Sequence, residues 1–112
     1  MSKAETSREL VQRASHFLHA AQSMPRNDVH GLLLQAPQDT FEVFCAVAEL
    51  GREYVQDNIW YTTYDPIQVI SARRTSKAAD YKRPREVQIR ELLTSNHMRR
   101  WVSRGLHVLQ ID

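Results

Sequence analysis

The stretch DTFEVFCAVAELGREYV, Asp39–Val55, decides the fold. Phe44, Val47, Ala48, Gly51 and Val55 recur at helical spacing and share one face. Phe41, Cys45 and the ring of Tyr54 carry apolar surface further round. Asp39 three residues before Glu42 gives a helix start, with Asp39 as the expected N-cap. A helix apolar on more than one face is either the centre of a bundle or a seam for a partner. Gly51 inside it costs about 1 kcal/mol relative to alanine, so close approach of another backbone is the expected reason for it. If the stripe is a seam, a two-fold homodimer through Phe44, Val47, Ala48, Gly51 and Val55 is the simplest closed assembly.

Upstream, Thr6 and Glu9 have capping-box spacing, which places the start of a first helix at Thr6 and leaves residues 1–5 disordered. Leu10, Ala14, Phe17, Leu18 and Ala21 form its stripe, and Pro25 stops it. A short second helix is expected from Asp28, with Leu32, Leu33 and Leu34 ahead of Pro37. Downstream, Trp60, Tyr61, Thr62, Thr63 and Tyr64 favour extended backbone, since aromatic and β-branched side chains suit a pleated surface. Asp65, Pro66 and Gln68 then read as N-cap, first position and third position of a fourth helix.

Residues 73–85, RRTSKAADYKRPR, hold six Lys/Arg and one acid and read as a basic connector, with a loop over 73–84. Pro84 opens a fifth helix carrying Val87, Ile89, Leu92 and Leu93. After TSN, HMRRWVSR forms a further helical segment with Met98, Trp101 and Val102 on one side, Gly105 as its stop, and LHVLQI as a short final strand. No internal repeat or low-complexity linker interrupts the chain. The expected architecture is mainly α: one domain, residues 1–112, built as a bundle of about five short helices with an aromatic extended link.

A chain of 112 residues can bury about 65% of its unfolded surface, enough for one core. Apolar residues are 42% and charged residues 25%, ordinary for a globular protein. The lone cysteine, Cys45, excludes an intrachain disulfide. No run approaches the roughly 18 apolar residues of a membrane helix, and the mixed charges of MSKAETSREL do not suit a signal peptide. The expectation is a soluble cytoplasmic protein. Net charge is only +2, but residues 1–64 hold 5 Lys/Arg against 8 Asp/Glu, and residues 65–112 hold 10 against 5. Such asymmetry marks either a solvated basic face or a surface for nucleic acid or an acidic partner.

Signals for chemistry are weak. His16 and His19 are a pair without the further ligands that zinc needs. Cys45 sits in an apolar helix, where a thiol behaves as a small hydrophobe. Neither enzyme activity, a cofactor nor a metal is expected. Two binding readings follow. In the first, the chain is a small regulator that binds another protein through Trp60, Tyr61, Tyr64, Met98 and Trp101, because surplus aromatic surface marks interfaces. In an extended link Trp60 and Tyr64 share a side, expected inward, and Tyr61 points outward. In the second, residues 85–105 are a degenerate helix-turn-helix that binds DNA or RNA. Arg99, Arg100 and Arg104 would then be the contacts, with Lys77, Lys82 and Arg83 on phosphate. Asn96 stands at its turn, Leu92 where a small residue is usual and His97 where an apolar one is usual.

The stripe in FEVFCAVAELGREYV and the aromatic, basic C-terminal half also resemble, in general build, small bacterial anti-activators that sequester LuxR-type quorum-sensing regulators. The resemblance covers the overall plan and assigns no residue a role. It implies a protein that blocks a transcription regulator by occupying its surface rather than by touching DNA, and it favours the first reading.

Overall fold

The computed structural model describes residues 3–56, 65–94 and 97–109. Helix α3, Gln38–Val55, is its centre. From Phe41 to Gly51 only Glu42 and Glu49 escape full burial. That is the pattern of a helix wrapped by neighbours on most sides. Around it lie α1, Lys3–Ser23; α2, Arg26–Gln35; α4, Pro66–Ser76; a 3-10 turn, Asp80–Lys82; α5, Arg85–Thr94; and α6, Met98–Val108. The fold is mainly α, and there is no strand among the described residues. The aromatic link Trp60, Tyr61 and Tyr64 lies outside the described residues.

Helix starts differ from their sequence signals. α1 already runs from Lys3, so Thr6 lies within it rather than at its cap, and residues 3–5 are helical. Prolines, not aspartates, stand at the N-caps of α2 and α3: Pro25 and Pro37 occupy those positions with ψ near 150°. A proline has a fixed φ and its carbonyl is free to accept the first helical bonds. Pro25 O accepts from Asp28 N at 3.0 Å, and Pro37 O from Phe41 N at 2.9 Å. Asp39 instead falls in the first turn of α3, where its carboxylate suits the positive end of the helix dipole and accepts from Thr40 N at 2.7 Å. The α4 start is as expected: Asp65 caps it, accepting from Ile67 N at 3.0 Å, with Pro66 in the first turn.

Two segments expected to lie outside helices are helical. Residues 73–76 of the supposed loop form the last turn of α4. At the other end α6 runs through Gly105 to Val108, so the residues of the supposed strand up to there continue the helix. The reason lies in how α6 meets α3, the largest helix contact in the molecule. An added Cβ at Gly51 would stand 1.6 Å from the carbonyl oxygen of Trp101, and one at Gly105 would stand 2.3 Å from that of Val47. The two glycines let the helices cross backbone against backbone, the close approach that only glycine permits. Gly105 is therefore a mid-helix contact and not a stop.

This crossing also corrects the expected dimer seam. Phe44, Val47 and Ala48 are buried within one chain, as is Gly51, and Val55 is half-buried at the end of α3. On α1, Leu10, Val11, Ala14, Leu18 and Ala21 face inward, and Phe17 meets the Phe44 ring edge-on at 5.9 Å and 87°. The Cα radius of gyration, 12.9 Å, matches the roughly 13 Å of one domain of this size.

Candidate functional site

The basic half of the chain divides into two sets once its partners are located. The first set points inward. Glu42, Glu49 and Glu53 lie seven and four residues apart on one edge of α3, so they form a single acidic stripe. The last turn of α4 answers with Arg73 and Arg74, followed by Lys77. Arg73 reaches Glu49 at 3.1 Å and Glu53 at 2.6 Å; Arg74 reaches Glu42 at 3.4 Å and the hydroxyl of buried Ser7 at 3.1 Å; Lys77 reaches Glu49 at 3.0 Å. The side chains of Arg73 and Arg74 are only 11% exposed. Burial works against the Arg73 charge, but the carboxylates of Glu53 and Glu49 outweigh it and raise its pKa above the ordinary value. Arg83, in the loop before α5, is paired at the surface instead: it donates to both carboxylate oxygens of exposed Glu91 at 3.1 and 2.9 Å, which holds Glu91 below the usual carboxylate range.

Arg85 belongs to the inward set too. Its guanidinium donates to the carbonyls of Leu33 at 3.3 Å, Leu34 at 3.4 Å and Ala36, and to Gln38 Oε1 at 2.5 Å. It also stands 4.5 Å over the Phe41 ring. One side chain thus satisfies the open carbonyl end of α2 and fastens it to the start of α3.

The second set is on α6. Met98, Val102 and Leu106 are buried, while Arg99, Arg100, Arg104 and His107 are exposed. Arg99 donates to the Met24 carbonyl. Arg100 and Arg104 pair with no group among the described residues. The outer face of α6 is therefore a basic strip of arginines without carboxylate partners.

Of the residues expected to touch a protein partner, Met98 faces the core and Trp101 is half-buried, its ring 6.2 Å from that of His97. Of those expected on nucleic acid, Lys77 and Arg83 are engaged with carboxylates, Lys82 is exposed, and the three α6 arginines lie on one helix. α5 packs mainly on α2 and α6 mainly on α3, so the pair is not docked together as a helix-turn-helix requires. His16 and His19 are exposed on α1, and no metal-ligand cluster forms among the described residues. Cys45 is buried, which pushes its thiol up to about 12, with Glu49 adding to the effect. At neutral pH it is an inert thiol.

Inside the α6 strip is a cavity of about 220 Å³, walled by α3, the 3-10 turn, α5 and Trp101. Tyr81 and Trp101 both line it. The Tyr81 hydroxyl and the Trp101 indole N–H are buried and pair with no protein group among the described residues. Burial raises the Tyr81 pKa well above its ordinary value, Glu49 adding to it, so the hydroxyl stays a neutral donor. Sequence reading missed this pocket, because Tyr81 and Trp101 lie twenty residues apart and neither stands in a motif. It also missed the inward arginines, although the spacing of Glu42, Glu49 and Glu53 on an otherwise apolar helix was a usable signal.

No protein-family model, curated protein or solved structure matches this chain. Among the described residues no helix is long and apolar enough to cross a membrane.

Proposed function

We propose that the chain is a small helical regulator that binds another protein, and that the outer face of α6 is the binding surface for an acidic partner. What carries the reading is the division of charge. Arg73, Arg74, Lys77 and Arg83 are neutralised by carboxylates of the same chain, whereas Arg100 and Arg104 are left on one exposed helix face. Exposed arginine is a preferred interface residue, since its fork bonds carboxylates in pairs. Antagonism of a transcription regulator, as the resemblance of general build implies, is one job that such a surface suits.

The same arginines would also suit phosphates, so binding of DNA or RNA is the second reading. Against it stands the engagement of Lys77 and Arg83 with Glu49 and Glu91, and the separate docking of α5 and α6. The double variant Arg100→Gln/Arg104→Gln separates the readings. With nuclease-treated host lysate, the wild type should capture a protein that the variant loses, at an unchanged melting temperature. Equal capture by both would remove α6 as the surface. A DNA footprint that survives physiological salt, and disappears in the variant, would replace the protein reading with the nucleic-acid one.

A further inference from the structure

We propose that the partner segment docked by the outer face of α6 is an acidic amphipathic helix. Its carboxylates lie in one row against Arg100 and Arg104, and its apolar side chains lie in the next row against Val108 and Trp101. This rests on the reading of α6 as the surface for an acidic partner, and adds the form that partner takes.

The first observation is the layout of the face. Arg100, Arg104 and Val108 follow one another at four-residue steps, so they stand on one ridge of α6. Trp101 lies beside that ridge, three residues before Arg104. Both arginines are exposed, while Val108 and Trp101 are half-buried. The Trp101 indole N–H is buried, so what its side chain shows to the outside is carbon. On the other flank of the arginines stand Ser103 and His107, both exposed. The face is therefore cationic along its ridge, apolar on one shoulder and polar on the other.

The second observation is which cations are free. The Arg99 guanidinium is turned to the Met24 carbonyl. Arg100 and Arg104 pair with no group among the described residues. A guanidinium takes both oxygens of a carboxylate, and one helical turn separates these two forks. Carboxylates one turn apart on a facing helix match that step. Alternate residues of an extended strand also come close to it, so the shoulder decides between them. A strand turns successive side chains to opposite sides and sets a single row against a surface. A helix sets neighbouring rows against it, so a carboxylate row beside an apolar row covers ridge and shoulder at once. The phosphates of a duplex would answer the arginines but leave the apolar shoulder against a hydrated anionic backbone. From Arg100 to Val108 the face runs about 12 Å at 1.5 Å per residue, a little over two turns of a partner helix.

The probes are two labelled peptides of about 18 residues, long enough for a helix to persist in water. They share one content of Glu, Leu and Ala. In the first, Glu recurs every fourth residue with a Leu row beside it. In the second, Glu and Leu alternate. Fluorescence anisotropy at physiological salt reads affinity, and circular dichroism reads helix gained on binding. The first peptide should bind roughly fivefold tighter than the second and gain helix, because only it meets both rows. Arg100→Gln/Arg104→Gln should weaken it roughly tenfold or more, through loss of both charge pairs. Val108→Thr keeps the outline of valine, and the hydroxyl it brings under the partner should weaken the first peptide about threefold with the fold intact.

Equal affinity of the two peptides, both lost in the arginine variant, would leave α6 as a surface for acidic partners and overturn the helix. Unchanged affinity in Val108→Thr would overturn it as well. Binding that survives the arginine variant, or no binding by either peptide, would overturn the surface and this inference together. Duplex DNA held more tightly than either peptide at that salt, and released by the arginine variant, would put nucleic acid in the helix's place.

Discussion

α3 meets α6 and α4 in opposite ways. Against α6 it presents Val47, Ala48 and Gly51, and the two backbones touch through glycine. Against α4 it presents carboxylates, and the gap is spanned by the long side chains of Arg73, Arg74 and Lys77. The first seam is set by atoms that cannot move. The second is set by flexible stems whose ends find a partner. One helix thus carries a rigid joint on one face and an adjustable one on another, and the two should respond differently to change.

The largest effect is expected at the rigid joint. Gly51→Ala places a methyl on the Trp101 carbonyl, and Gly105→Ala places one on the Val47 carbonyl. Each should cost about 3 kcal/mol or more, the upper range for overpacking, despite the better helix propensity of alanine. Urea denaturation measures this. A loss under about 0.5 kcal/mol at both positions would mean that the joint is looser than the contact distances require.

At the adjustable joint, Arg73→Met should cost about 3 kcal/mol, the low end for a broken buried ion pair, because Glu49 and Glu53 both lose the guanidinium they share. Arg73→Met/Glu53→Leu should recover most of that, since Glu49 keeps Lys77. If the double variant is as unstable as the single, the guanidinium stem acts by packing and not by charge.

Cys45 lies where the two faces of α3 meet. Its thiol titrates near 9.0 when exposed and near 12 in the fold, burial being the main cause. The folded state therefore holds a proton that the unfolded chain releases. Stability from this group is complete below pH 9 and falls as pH rises from there toward 12, by about 1.4 kcal/mol per pH unit. Tyr81, raised in the same direction, should add to the fall above pH 10. Denaturation midpoints from pH 7 to 11 test this. Cys45→Ala lowers stability overall, but its decline should begin a unit later, and a decline from pH 9 identical to wild type would remove Cys45 as the cause.

The smallest effect is a control for the glycine argument. Gly31 is in α2 with nothing within 4 Å of an added Cβ. Gly31→Ala should stabilise by about 0.5–1 kcal/mol through helix propensity alone. A destabilisation there like that at Gly51 would show that glycine matters in this bundle for a reason other than close contact.

Much of the fold is legible in the chain because apolar periodicity is local. The stripes of α1 and α3, the cap at Asp65 and the reason for Gly51 all follow from spacing. The helix starts at Pro25 and Pro37 were obscured because nearby aspartates imitate caps, and a proline gives no side-chain signal. Gly105 reads as a stop until its neighbour across the crossing is known. The basic segment 73–85 reads as a solvated loop because charge in a sequence carries no record of its partner. Only folding brings Glu42, Glu49 and Glu53 to it. The candidate surface is legible in part: the arginines of α6 stand out, but that Arg73 and Arg74 are taken up by carboxylates while Arg100 and Arg104 are not, and that Tyr81 shares a cavity with Trp101, are facts of three dimensions.

The crossing of α3 and α6 has a consequence for synthesis. A chain leaves the ribosome N-terminus first, at roughly 5–20 residues per second. α3 is complete at Val55, and the helix that covers it begins only at Met98. For several seconds in each round of translation, Val47, Ala48 and Gly51 have no lid, and the most apolar helix of the molecule stands open to whatever is nearby. Nascent chains stalled before Met98 should therefore be held by chaperones that bind apolar segments, and chains stalled far enough beyond Val108 for α6 to emerge should be released. Equal chaperone occupancy at both stall points would show that the face finds another cover first.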